Sequence, residues 1–499
     1  MNTPLINVDI LHNVAQFADF STVLQLTKTC REFNAECAQY LLKNDGVYLE
    51  GEESVESFIV FLTASGRDDY ARRRLPFCTD IELSVGPSPS QNIKFALAVL
   101  FARIRSEAPW FRFLALHHSD ALLAPDSPLP EVVAALATLE ELNLYEYGAH
   151  CAAVLPFMQS RLLTATLAHD ESTHYPLEDP LFLLRRSQKT LKCMDVTLPI
   201  ILRQEFCYSN LVELRISRPN LLPSTWTYIC AFPRLVGLAV GFGAHFAREC
   251  ASIVSACRQW NIAEQKRLGT WTSLRRVQGA LADLFLLGLT CAVPELAIDD
   301  LSDGLSESDA RTPDLRRRQA DAWRQVLGYA RPSRVTLQID DSDWIVDNHG
   351  FALLSETPEL VSLQSLHLTV GVSYAMGSNW DTLGVHDALD VLWVIVKSFI
   401  KPVEVSVTFD WTGWSAVARE FVASHPQCAG SDMDFPREEL DAVDMDGHVR
   451  RFLHKDTRSV RYCHVGPDGW RREATYSRVS DEEHAAIIEA VDQMEMDVD

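Results

Sequence analysis

One short pattern of apolar and polar positions recurs along most of the chain. An apolar residue is followed, after two free positions, by two apolar residues separated by one. Copies stand at Cys78/Ile81/Leu83, Phe111/Leu114/Leu116, Leu139/Leu142/Leu144 and Leu162/Ala165/Leu167. Further copies are Leu191/Met194/Val196, Leu211/Leu214/Ile216, Leu235/Leu238/Val240, Val293/Leu296/Ile298, Leu363/Leu366/Leu368 and Ile400/Val403/Val405, with a variant at Val335/Leu337/Ile339. The last two positions alternate as a strand does when one face meets a core, so each copy predicts a short strand. Successive early copies lie roughly 20 to 33 residues apart, close to the period of strand-and-helix repeats but not constant.

Between the copies the apolar spacing becomes helical. Ile93, Leu97, Leu100, Phe101 and Ile104 form one stripe, and Val385, Leu389, Leu392, Trp393, Val396 and Phe399 another. Thr312-Pro313-Asp314 places a proline at a first helical position, opening a helix with Trp323, Val326, Leu327 and Ala330 inward. A single strand-plus-helix unit leaves an apolar face uncovered, so neighbours must stack. The prediction is an α/β chain built as a curved solenoid, strands inside and helices outside.

Two stretches break the cadence. A long helical pattern runs from Ala244 to Leu268, and Asp299 to Asp309 is an acidic, serine-rich loop. After about Gly430 the pattern changes to Val449–Leu453, Ser459–His464 and Arg471–Tyr476 as short strands around a turn at Gly466-Pro467-Asp468-Gly469. Ser480-Asp481-Glu482-Glu483 then opens a last helix as a capping box. The expected organisation is a helical domain over 1–45, a solenoid over 46–430 and an acidic α+β extension over 431–499.

The first forty residues predict three short helices: one carrying Ile6, Ile10, Leu11, Val14 and Phe17, one with Val23, Leu24 and Leu26, and one running from Cys30 through Phe33, Cys37 and Leu41. A unit this small cannot enclose all its apolar residues, so part of that surface is left for a neighbour or a partner. The segment resembles an F-box. Ile6-Asn7-Val8-Asp9-Ile10-Leu11 matches the family's opening block, with Asn7 where the family has proline. Val14, the pair Val23-Leu24, Leu26 and Thr29-Cys30-Arg31-Glu32-Phe33 match the rest. The resemblance implies docking on a Skp-type adaptor through Ile6, Ile10, Leu11, Val14, Leu24, Leu26, Cys30 and Phe33. The repeat region likewise resembles the divergent leucine-rich repeats of fungal F-box proteins. Together they imply a non-enzymatic substrate-recognition subunit of an SCF-type cullin-RING ubiquitin ligase. The alternative is an interaction scaffold with a degenerate F-box that never joins a ligase.

Charge narrows the partners. Among 499 residues, 45 Lys and Arg stand against 68 Asp and Glu, a formal net charge of −23. Such a surface repels nucleic acid and anionic lipid and suits a basic protein partner. The 12 cysteines include no Cys-x-x-Cys pair, as expected of free thiols in the cytoplasm or nucleus. No phosphate-cradling glycine loop and no nucleophile elbow occur. His169 and His174 are five apart, about 140° around a helix, and Cys463-His464 with His454 offers too few ligands for zinc. The expectation is no catalytic residue, no metal and no cofactor. Substrate contacts are expected at outward positions between the apolar pairs, among them Asn143, Arg215, Ala239, His367 and Glu404. Aromatic and arginine side chains concentrate binding energy, which singles out Tyr145, Tyr147, Arg215 and Arg218.

Overall fold

The fold is taken from a computed structural model of the 499-residue chain. It describes residues 8–18, 20–29, 38–43, 46–63, 74–169, 178–197, 205–217, 222–242, 251–299, 313–339, 363–371, 404–410, 459–465 and 471–477. The expected strand at Val449–Leu453, the last helix from Ser480, the helix through Val385 and the loop from residue 300 onward lie outside these residues. The chain forms two compact units, one of residues 1–221 with 227–235, the other of 222–226 with 236–499.

Among the described residues the first unit opens with three helices, α1 (Val8–Phe17), α2 (Phe20–Thr27) and α3 (Ala38–Lys43). Seven strands follow: β1 (Val47–Glu50), β2 (Asp80–Ser84), β3 (Phe113–Leu116), β4 (Glu141–Tyr147), β5 (Thr164–His169), β6 (Cys193–Thr197) and β7 (Glu213–Ser217). Each pairs in parallel with the next in chain order. Parallel neighbours need a crossover, and most of the gaps hold helices. These are α4 (Gly51–Thr63), α5 (Gln91–Glu107), α6 (Ser119–Leu122), α7 (Leu129–Ala134), α8 (Ala149–Val154) and α9 (Pro180–Leu183). The α/β class read from the pattern is the observed one.

The apolar triplets explain the packing. Both strand positions of every copy from Ile81/Leu83 to Leu214/Ile216 are buried, and so is the leading position from Cys78 to Leu211. Each buried leucine-sized side chain contributes about 1.5–3 kcal/mol. Just ahead of each strand, one carbonyl accepts two amides of the following repeat. Thr79 O takes Arg112 and Phe113, Arg112 O takes Glu140 and Glu141, Glu140 O takes Leu163 and Thr164, and Leu163 O takes Lys192 and Cys193. This shared acceptor fixes the register from one strand to the next.

The second unit repeats the scheme with β8 (Gly237–Gly241), β9 (Arg276–Gly279), β10 (Glu295–Ile298), β11 (Arg334–Ile339), β12 (Ser365–Gly371), β13 (Glu404–Asp410), β14 (Ser459–Val465) and β15 (Arg471–Ser477). All pair in parallel in chain order except β14 with β15, which form the antiparallel pair expected around the Gly466 turn. Two strands escape the sequence pattern. The four-residue β1 carries no leading apolar position, and in β9 the third apolar place is Gly279. A Cβ there would lie 2.4 Å from Val240 O on the paired strand, so the close approach admits only glycine.

Three helices of this unit are α10 (Ala251–Leu268), α11 (Leu281–Leu287) and α12 (Pro313–Ala330), the last beginning at the expected proline with Trp323, Val326, Leu327 and Ala330 buried. A helix end leaves carbonyls without partners. At the end of α11 they are met by one face of α10. Arg258 Nη1 donates to Phe285 O (2.6 Å), Asn261 Nδ2 to Leu286 O (2.8 Å) and Gln265 Nε2 to Gly288 O (2.9 Å). Arg258 is buried between the rings of Phe285 and Tyr329, and burial pushes its guanidinium down to about 10. The negative end of α11 supplies what a carboxylate would elsewhere. Among the described residues no helix is long and apolar enough to cross a membrane.

Candidate functional site

Two surfaces of the first unit carry the residues singled out by sequence. The first is the N-terminal helical group. Ala15, Val23 and Leu41 form its small core, with Leu24 and Tyr40 packed against it. Val14 and Phe17, three apart and therefore on one face of α1, are 47% and 85% exposed. Of the expected adaptor residues, Val14 is exposed and Leu24 and Leu26 are half-buried. Ile10 and Leu11 lie on α1, while Ile6, Cys30 and Phe33 fall outside the described residues. Phe17, the most exposed apolar residue of the group among the described residues, was absent from the expected adaptor set.

The second surface is the face of the sheet opposite the buried apolar positions. Side chains between those positions line up in one row across the strands: Glu82, Ala115, Asn143, Thr166, Asp195 and Arg215. Neighbouring strands lie about 4.8 Å apart, so the row continues without a break. One step further along, His117 and Tyr145 stack with ring centroids 4.5 Å apart and planes 19° from parallel. His117 Nε2 lies 2.8 Å from Glu82 Oε1, and Asn143 Nδ2 donates to Glu141 Oε1 at 3.1 Å. Arg215, exposed, reaches Asp195 Oδ2 at 3.3 Å.

The electrostatics of this face are acidic. Burial raises the Tyr145 phenol above its ordinary value, and the carboxylates of Glu82, Asp195 and Glu141 raise it further. Burial also raises the Asp195 carboxyl, against a smaller downward pull from Arg215. The second unit's open face is more evenly paired, with Arg334 on Glu295 and both Arg461 and Arg471 on Glu473. His367 sits there within 2.9 Å of Ser365 Oγ.

One sequence expectation is corrected. Strict alternation puts Tyr147 on the same face as Tyr145, but Tyr147 is only 3% exposed and meets the ring of His169 edge-on at 5.8 Å. The register with β5 shifts between Tyr145 and Tyr147, and Glu146 takes a left-handed φ of 54°. That bulge adds a residue and turns Tyr147 inward. It therefore offers no surface to a ligand. Arg218 lies outside the described residues, whereas Tyr145 and Arg215 share the open face. Glu82 and Asp195 were missed, although they hold the same intervening position that selected Asn143 and Arg215.

Of the His and Cys residues set aside as metal ligands, His169 is buried in β5 and Cys463 lies buried in β14. Among the described residues no group of three or more His, Cys, Asp or Glu could hold a metal ion. In comparison with known proteins the chain matches no family model and no curated protein.

Proposed function

We propose that this chain is a protein-recognition receptor: the substrate-recognition subunit of an SCF-type cullin-RING ubiquitin ligase. In this reading the N-terminal helices act as an F-box on a Skp-type adaptor. The parallel strands act as a leucine-rich-repeat-like solenoid whose open face holds a protein substrate. The observation that carries the reading is the apolar pair Val14 and Phe17, left exposed on α1 while Ala15 fills the small core beneath it. Water-exposed apolar side chains grouped on one helix face mark a protein interface. The receptor contributes no catalytic group. It works by raising the local concentration of substrate lysines beside the conjugating subunits. A reducing compartment, cytoplasm or nucleus, follows from that role.

The test is co-expression with a Skp-type adaptor. Val14→Asp together with Phe17→Asp is expected to abolish co-purification while leaving the melting temperature within about 2 °C, since neither side chain is in the core. A wild-type chain that never retains the adaptor, or a double variant that still does, refutes the ligase reading. The first of those results favours the scaffold alternative.

A further inference from the structure

We infer that the open face of the first unit seats a basic protein segment, whose lysine and arginine side chains take Glu82, Glu141, Asp195 and the Asn143 carbonyl as acceptors. This deepens the receptor reading and rests on it for the ligand's being a protein.

The argument begins at Asn143. Only 8% of it is exposed, its Nδ2 is used by Glu141, and its Oδ1 is buried with no hydrogen-bond partner. A flipped amide would set the oxygen against the Glu141 carboxylate, so the orientation is fixed by its neighbour. A buried acceptor left empty is costly, and a donor arriving from outside would remove that cost. Lying between Leu142 and Leu144, which face the core, Asn143 projects to the open face.

Its row neighbours shape the surface around it. Ala115 and Thr166 flank Asn143 on the adjacent strands and are short. Glu82 and Asp195 stand one strand further out on either side, so a stretch of the face about 19 Å wide carries a carboxylate at each end. The stacked rings of His117 and Tyr145 form its wall. An aromatic wall with carboxylates at hand suits a desolvated cation. An anionic ligand would meet acceptors, since His117 and Arg215 are already engaged by Glu82 and Asp195.

The test uses the full chain and a fluorescently labelled twelve-residue peptide of alternating serine and arginine, with its citrulline counterpart as the neutral isostere. Anisotropy is expected to show binding of the arginine peptide only. Asn143→Leu, which changes no charge, and Glu82→Gln with Asp195→Asn should each weaken it by roughly fivefold or more. Glu53→Gln with Glu56→Gln, which removes the same charge from exposed positions of α4, should leave it within about twofold. Asn143→Asp should tighten binding, a gain that misfolding cannot produce. Equal affinity for the citrulline peptide, equal weakening by the α4 pair, or full affinity in Asn143→Leu overturns the site. Adaptor co-purification is scored on the same proteins. Peptide bound without adaptor removes the ligase reading and leaves the cation site standing, whereas adaptor bound without peptide removes the cation site alone.

Discussion

Asn261 gives the sharpest energetic test of how the second unit holds together. It is wholly buried, and its side chain makes three bonds to the main chain: Oδ1 accepts from Thr225 N (3.1 Å), while Nδ2 donates to Pro223 O (3.0 Å) and Leu286 O (2.8 Å). Asn261→Ala removes all three. At about 1 kcal/mol net per bond, with a further penalty for a buried amide left without an acceptor, the loss is roughly 3–4 kcal/mol. For a slope near 2–3 kcal/mol/M this shifts the urea midpoint of the second unit by about 1–2 M, read from tryptophan fluorescence and from hydrogen exchange in α10 and α11. Asn261→Asp sharpens the test. The aspartate keeps the bond from Thr225 but turns an acceptor toward two carbonyl oxygens, in a site where burial raises a carboxyl group's pKa. A raised folded-state pKa stabilises below the unfolded value of about 4 and loses that stabilisation as pH rises. Relative to wild type, this variant should therefore approach parity near pH 4 and fall below Asn261→Ala at pH 7. A loss under about 1 kcal/mol in Asn261→Ala, or a pH-independent deficit in Asn261→Asp, would refute the reasoning.

Two further outcomes follow from buried titrating groups. Burial lowers the His367 imidazole below its ordinary 6.5, and Arg334 and Arg461 add to the shift against an opposing pull from Glu404. A depressed pKa gives stability that is present above the unfolded value and is lost as pH falls through the folded one, so wild type should weaken relative to His367→Gln between about pH 7 and pH 5; parallel urea midpoints across that range would contradict it. Cys151 is buried with its Sγ on Ser119 Oγ, and burial pushes its thiol up to about 12, while Cys207 is exposed. Brief iodoacetamide treatment of the native chain at pH 8 should modify Cys207 and spare Cys151, as mapped by mass spectrometry, and prompt labelling of Cys151 would mean that α8 is not packed as described.

The repeat was legible where its three apolar places were filled by apolar residues, because their burial leaves a signal, but the copy read at Ile400/Val403/Val405 is two residues out of register, since Val405 and Val407 pair with Leu366 and Leu368. It was silent at β9, where Gly279 makes room for Val240 O by having no side chain to display. It was also silent about the inner face of α10. Arg258, Asn261 and Gln265 recur at helical spacing and are buried, yet as polar residues they read as a solvated stripe. Their partners are main-chain carbonyls at the end of another helix. No local pattern announces such a partner, since every residue has a carbonyl.

The candidate face divides along the same line. Period-two alternation is a local rule, and it placed Asn143, Tyr145 and Arg215 together and extends equally to Glu82 and Asp195. It failed at Tyr147 because the bulge at Glu146 depends on a contact far along the chain. Glutamate has no preference for positive φ, so nothing in Tyr145-Glu146-Tyr147 marks a reversal. What accompanies it is the contact of Glu146 Oε2 with Nδ1 of His118, itself at a positive φ of 49°, from the end of the neighbouring strand. Two residues in uncommon backbone conformations thus meet across adjacent strands. Their pairing offsets a cost that neither would bear alone. The same turn of the chain carries Tyr147 inward and leaves Tyr145 outward against His117. The aromatic wall of the acidic face is therefore a product of tertiary structure, assembled from a row that sequence shows and a reversal that it does not.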